Sequence, residues 1–157
     1  MAAADPTAMK IYFYRVDEPY GFLSNFSPHP IDLDGHTWPT VEHYYQAQKF
    51  VGTPHADLVE HIRRLPTPEQ AAQTGRNPQY QRRPDWDHIK RDVMLKAVRC
   101  KFRSHPDLAE KLLATGDAEL IENSPTDGYW GCGPDGSGCN HLGRILMQVR
   151  AELRQAR

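Results

Sequence analysis

The chain has 157 residues, 39% of them hydrophobic and 25% charged, a length that suits one domain able to bury a core without disulfides or metals. Its apolar runs are short and interrupted by charge, so no transmembrane helix is expected. Nineteen basic residues against twenty acidic ones leave a net charge of −1, which removes the case for an unspecific nucleic-acid coat protein. Residues 1–9 lack the apolar stretch of a secretory signal and read as a disordered leader, with residues 10–157 as the domain. Three cysteines, Cys100, Cys132 and Cys139, are too few and odd in number for a disulfide framework, and point to a reducing cytoplasm. The mean hydropathy of −0.70 is low for a compact domain, as it would be if polar residues lined a site.

In chain order, Lys10 to Val16 is aromatic and β-branched and reads as a strand. Tyr20 to Pro30 is a loop too aromatic to be a mere connector. Ile31 to Trp38 carries Asp34-Gly35, a hairpin turn flanked by alternating apolar residues. Pro39 suits the first turn of a helix running to about Phe50. Pro54 opens a second helix with Leu58, Val59 and Ile62 on its apolar side. Thr67 and Gln70 have the spacing of a capping box, and Gly75 closes that helix. Asp85 to Phe102 is the longest periodic segment, with Trp86, Ile89, Val93 and Ala97 at three- and four-residue steps. Pro106 starts a short helix ended by Gly116, and Ala118 to Glu122 is a short strand. A Gly-rich loop from Asn123 to Cys139 leads to a final helix capped by Asn140, with Leu142, Ile145, Leu146, Val149 and Leu153 on one stripe. The expected class is mainly α: a compact multi-helical single domain with a small β-hairpin or sheet near the N-terminus.

Three polar features stand out. Glu42, Gln46 and Lys49 share one helix stripe; on spacing alone the plainer reading is a solvated carboxylate–ammonium face. The loop through Asp127, Trp130 and Gly131 runs into a helix N-terminus with Arg144 one turn in, an arrangement able to hold an anion, though an ordinary capped helix has the same look. From Gln73 to Arg103 nine basic residues face three acidic ones, and a solvated helix face is the plainer reading against a phosphate-binding patch. Cys132, Cys139 and His141 lack the close cysteine pair of a zinc site, so no metal is expected. His43 is read as structural or capping.

Taken together, Tyr20-Gly21-Phe22-Leu23-Ser24-Asn25-Phe26, Thr40-Val41-Glu42-His43-Tyr44-Tyr45-Gln46-Ala47-Gln48-Lys49, Gly75-Arg76, Asp85-Trp86, Lys101-Phe102, Thr115-Gly116, Glu122-Asn123-Ser124 and Asp127-Gly128-Tyr129-Trp130-Gly131 resemble the NADAR/YbiA-like family. The segment Gly138-Cys139-Asn140-His141-Leu142-Gly143-Arg144 completes the match, which spans residues 10 to 154. The resemblance implies a mainly helical fold and an N-glycosidase that hydrolyses the bond between ribose C1 and a nitrogen, with no cofactor. Two substrate classes are implied: ADP-ribosyl-guanine in DNA or RNA, and ribosylamino-pyrimidine phosphates of riboflavin synthesis. A non-catalytic ADP-ribose or NAD-derivative binding module is the alternative. An oxocarbenium-like sugar calls for a carboxylate and a proton for the leaving nitrogen, which makes Glu42, Asp127 and Lys49 the catalytic candidates. Trp130 and Trp86 would stack on the base, Asn25 and Asn140 would bond sugar hydroxyls, Gly131 would let backbone approach the ligand, and Arg144 with Arg76 would take phosphate.

Overall fold

The computed structural model describes residues 9–157. The expected leader therefore lies outside the described residues, apart from Met9. The elements are β1 (Lys10–Phe13), a 3-10 turn (Gly21–Leu23), β2 (Ile31–Leu33), β3 (His36–Trp38), α1 (Val41–Gln48), α2 (Asp57–Arg63), α3 (Pro68–Gly75), α4 (Trp86–Ser104), α5 (Pro106–Ala114), β4 (Glu119–Glu122) and α6 (His141–Gln155). They fall into two compact units. One is Asn25–Ser104; the other joins the chain up to Ser24 with His105–Arg157.

In the Asn25–Ser104 unit, β2 and β3 form an antiparallel hairpin in which Ile31 faces Trp38. Asp34 and Gly35 turn it with φ of 55° and 80°, the left-handed pair that a two-residue hairpin with the right twist requires. The Thr40 side chain accepts from the His43 amide and so caps α1. Pro39 thus sits one residue before the cap, not in the first turn as its ring geometry suggested. The Thr67 hydroxyl accepts from the Gln70 amide at 3.2 Å, as its capping spacing predicts.

Helix α1 packs against α2, α3 and α4, and every residue from Val41 to Ala47 is buried. On α4 the buried stripe is Trp86, Met94, Ala97, Val98, Lys101 and Phe102. Ile89 and Val93, assigned to that face by periodicity, are only half-buried. His43 is fully buried, with Nδ1 against the Thr40 hydroxyl at 2.8 Å and Nε2 against the Leu65 carbonyl at 2.9 Å, so it serves packing and capping.

In the second unit β1 pairs with β4 in parallel, Ile11 beside Leu120. The strand stops at Phe13 because β4 offers a partner only as far as Glu122, so Tyr14 to Val16 lie beyond the ladder. Helix α6 packs on β4 and α5 through Leu142, Ile145, Leu146 and Val149, each worth about 1.5–3 kcal/mol of burial. Among the described residues no helix is long and apolar enough to cross a membrane.

Candidate functional site

The polar stripe of α1 is not solvated. Glu42 is 4% exposed, Gln46 1% and Lys49 8%. Three helices surround α1, so a stripe that spacing alone would hand to water is enclosed by protein. Gln46 Nε2 donates to Glu42 Oε1 at 3.1 Å, and Lys49 Nζ donates to the Gly75 carbonyl at the end of α3 at 3.2 Å. That close approach requires a glycine: a Cβ at position 75 would lie 2.0 Å from Gln46 Oε1. Gln46 Oε1 is buried with no hydrogen-bond partner among the described residues, an acceptor that a ligand donor could meet.

Burial pulls the Lys49 ammonium down to about 8, against Glu42, which raises it; Arg76, Arg82 and Lys90 lower it further. Lys49 therefore sits between one carboxylate and three cations. Arg82 and Lys90 share Asp87 at 3.3 Å each, whereas Arg76, at the C-cap of α3, is exposed and has no ion-pair partner among the described residues. The expected basic patch is otherwise broken up: Arg83 pairs with Asp85, Lys96 with Asp34, and Lys101 is buried.

Asn25 is half-buried beside the carboxylate helix. Its carbonyl accepts from the Glu42 amide at 3.2 Å, and its side chain donates to Met94 Sδ at 3.4 Å. Trp86 takes no such place. It is 1% exposed, with its ring 5.1 Å from that of Tyr45, so it fills the core instead of offering a face to a base.

In the other unit the Gly-rich loop is ordered by its own bonds. Asp127 Oδ1 accepts from the Tyr129 and Trp130 amides, each at 2.9 Å, while the Asp127 amide donates to Ser124 Oγ at 2.9 Å. This turn spends one carboxylate oxygen on the backbone and fixes Trp130. The half-buried Trp130 ring stands edge-on to Tyr129 at 4.9 Å, and His141 lies 4.5 Å from Tyr129. Gly131 is buried under the loop, its carbonyl accepting from the Asn140 amide at 3.0 Å.

Two expectations for the start of α6 need correction. Asn140 makes no side-chain cap; it sits at φ 54°, and its amide group clamps β4, accepting from the Glu122 amide at 3.0 Å and donating to the Leu120 carbonyl at 2.9 Å. Nor is the helix start an open anion site. The His141 and Leu142 amides donate to the Tyr129 and Trp130 carbonyls at 3.1 and 3.0 Å. Arg144 is exposed and borders a groove of about 520 Å³ that also meets Lys10, Tyr12 and Asn140, but not Asp127, Trp130 or Gly131.

Sequence reasoning missed Gln46 as a bonded neighbour of the carboxylate and Gly75 as the acceptor for Lys49. The signal for the first was present, one turn along the stripe. The second depends on α3 crossing α1, which local sequence does not encode.

The NADAR domain family model matches residues 12–154. An N-glycosidase of Nostoc punctiforme is 55% identical over 146 residues, covering 93% of this chain and 94% of that protein. A riboflavin biosynthesis protein of Zea mays is 48% identical over 155 residues, covering 91% of this chain but 25% of that longer protein. The solved NMR structure of the E. coli protein YbiA superposes with a TM-score of 0.86 at 44% identity, covering 96% of this chain and 88% of that one.

Proposed function

The chain belongs to the NADAR domain family and is a hydrolase of N-glycosyl bonds, and from that premise we propose that it cleaves the bond between ribose C1 and a nitrogen in a phosphorylated ribosyl conjugate. The observation that carries this reading is the buried Glu42–Gln46–Lys49 stripe. A carboxylate held at 4% exposure beside an ammonium is expensive to bury, and a sugar cation is a ligand that would use it.

In the proposed reaction the C1–N bond breaks with its electron pair leaving on nitrogen. Glu42 stabilises the positive charge at C1 or takes a proton from the attacking water. Lys49, or water bonded to it, returns a proton to the departing nitrogen. Asn25, whose side chain donates to Met94 Sδ, keeps its amide oxygen as the candidate partner of a sugar hydroxyl. Arg76, next in sequence to the Gly75 carbonyl that Lys49 meets and without an ion-pair partner among the described residues, takes phosphate. Within its own unit, Trp130 presents a half-buried ring of the kind that stacks on a base, and Asp127 keeps Oδ2 outside its backbone turn as a second candidate carboxylate. Gly131, by its burial, shapes the loop backbone. Arg144 with Lys10 is a second place for phosphate, and Asn140 holds the loop that precedes it. Trp86 drops out of the ligand set. The cytoplasmic setting is part of the same proposal.

The test is a product assay offering two substrates separately, an oligonucleotide bearing ADP-ribosyl-guanine and a ribosylamino-pyrimidine phosphate. Free ADP-ribose with unmodified guanine is the expected product of the first; ribose phosphate with free aminopyrimidine is that of the second. Turnover of one and not the other assigns the substrate class. If neither releases its sugar, the reading fails.

The Lys49 ammonium gives this activity a pH signature. If its charge is needed, turnover falls as pH rises through about 8, where the buried amine loses its proton. A Lys49→Met variant loses most activity and lacks that limb. The stability effect has the opposite slope. The folded amine binds protons less readily than the unfolded one, so between pH 8 and 10.5 the unfolded chain holds more protons, and this group makes folding more favourable as pH rises. An activity limb at pH 8 that survives in Lys49→Met would assign it to another group.

A further inference from the structure

Lys101 lies outside the stripe, yet it is 2% exposed and donates from Nζ to Ser27 Oγ at 2.6 Å, with Ser27 itself 1% exposed. A lysine so enclosed costs desolvation, and burial pulls it down to about 7. What it grips is the segment that reaches the candidate carboxylate. Ser27 is two residues from Asn25, whose carbonyl holds the Glu42 amide at 3.2 Å. Met94 lies seven residues before Lys101, on the same face of α4, and takes the Asn25 side chain on its sulfur. Helix α4 thus holds the 25–27 segment at two points, and the segment holds the first turn of α1. Within that turn the segment supplies the acceptor for one particular amide. The Glu42 amide is too early in the helix for an internal acceptor, so the Asn25 carbonyl is its anchor, while the next amide, His43, is held independently by Thr40 Oγ at 3.1 Å.

We propose that Lys101 is a positioning residue for Glu42, acting through Ser27 and the Asn25 carbonyl. Its catalytic consequence rests on the reading of Glu42 as the working carboxylate; its structural arm does not. His29 completes the anchor, with Nδ1 at 2.9 Å from the same Ser27 hydroxyl, so the hydroxyl is held from two sides.

The test compares Lys101→Met, which keeps the packing and removes the ammonium, with Ser27→Ala, which keeps the ammonium and removes its acceptor. Amide hydrogen exchange is read at Glu42 and at His43. Both variants should speed exchange at Glu42 roughly tenfold and leave His43 unchanged, a contrast that general loosening would not give. Turnover of whichever of the two ribosyl substrates is cleaved should fall about tenfold in kcat with KM within about twofold, as expected for a displaced group rather than lost binding. In a Glu42→Gln background neither variant should lower kcat further. Wild-type exchange at Glu42 in Ser27→Ala overturns the proposal whatever the turnover does, and so does a loss confined to KM. If Lys101→Met does not fold, Ser27→Ala alone decides. If Glu42→Gln proves active, the catalytic reading of Glu42 falls while the exchange contrast still judges the anchor.

Discussion

Glu42→Gln is expected to stop sugar release by about a thousandfold or more while the protein remains folded, an effect equal to about 4 kcal/mol of transition-state stabilisation. The substitution changes one atom of a side chain 4% exposed, so packing around α1 is kept. The amide can turn its oxygen to Gln46 Nε2, which now donates to Glu42 Oε1 at 3.1 Å. What is lost is the negative charge, together with the capacity to take a proton from water. Thermal unfolding should therefore move by only a few degrees while the product assay goes silent. Lys49 sharpens the expectation. Glu42 is the influence that raises its affinity for a proton, against burial and three nearby cations. Neutralising position 42 removes that support, so Lys49 in the variant titrates below the about 8 of the parent chain. A variant with near-normal turnover would remove Glu42 from the chemistry; binding retained without turnover would leave its assignment intact.

The stripe that makes this prediction possible was visible in the sequence as spacing, but its environment was not. Glu42, Gln46 and Lys49 at i, i+4 and i+7 fall on one face whether that face meets water or protein. The apolar pattern around them points the same ambiguous way, because Val41, Tyr44 and Ala47 supply a core face on any amphipathic helix. Enclosure came from α3 and α4 crossing α1, contacts between segments tens of residues apart. Family resemblance made Glu42 a candidate; its burial on a stripe with Gln46 and Lys49, the one bonded to its carboxylate and the other to the Gly75 carbonyl, is what spacing alone could not show.

Local rules fared best where the relevant partner is near in sequence. The Asp34-Gly35 hairpin and the Thr67 cap both formed as their residue types require. They fared worst where one side chain had two uses. Asn140 satisfies the N-cap rule by type, yet its amide bridges twenty residues back to β4, and the cap position is left to backbone geometry. Trp86 satisfies the stacking rule by type, yet Tyr45 takes its ring into the core. In both, a tertiary contact outbid the local one, and nothing within a ten-residue window records that contact.

The same clamp sets the second large effect, Gly143→Ala. An ideal Cβ at position 143 would stand 2.0 Å from the Leu120 carbonyl oxygen and 2.4 Å from Asn140 Nδ2. The first obstacle is backbone in a paired strand, so it cannot swing aside as a side chain could. Helix α6 must instead lift from β4, and the two Asn140 bonds to Leu120 and Glu122 stretch with it. Overpacking of this kind costs about 1–3 kcal/mol, and a weakened buried hydrogen bond adds about 1 kcal/mol or more. A loss near 3 kcal/mol should lower Tm by roughly 10 °C in a chain of this size. Gly128→Ala is the control, since a Cβ there meets nothing within 4 Å, and a shift within about 0.5 kcal/mol is expected. The damage should also reach the loop. The first amides of α6 hold the Tyr129 and Trp130 carbonyls, so lifting the helix releases the segment that fixes the Trp130 ring. Tryptophan fluorescence should then report greater exposure of that ring below the melting transition. Wild-type Tm in Gly143→Ala would mean that α6 can slide along β4 without losing its grip, and that the Asn140 clamp is weaker than its two bonds indicate.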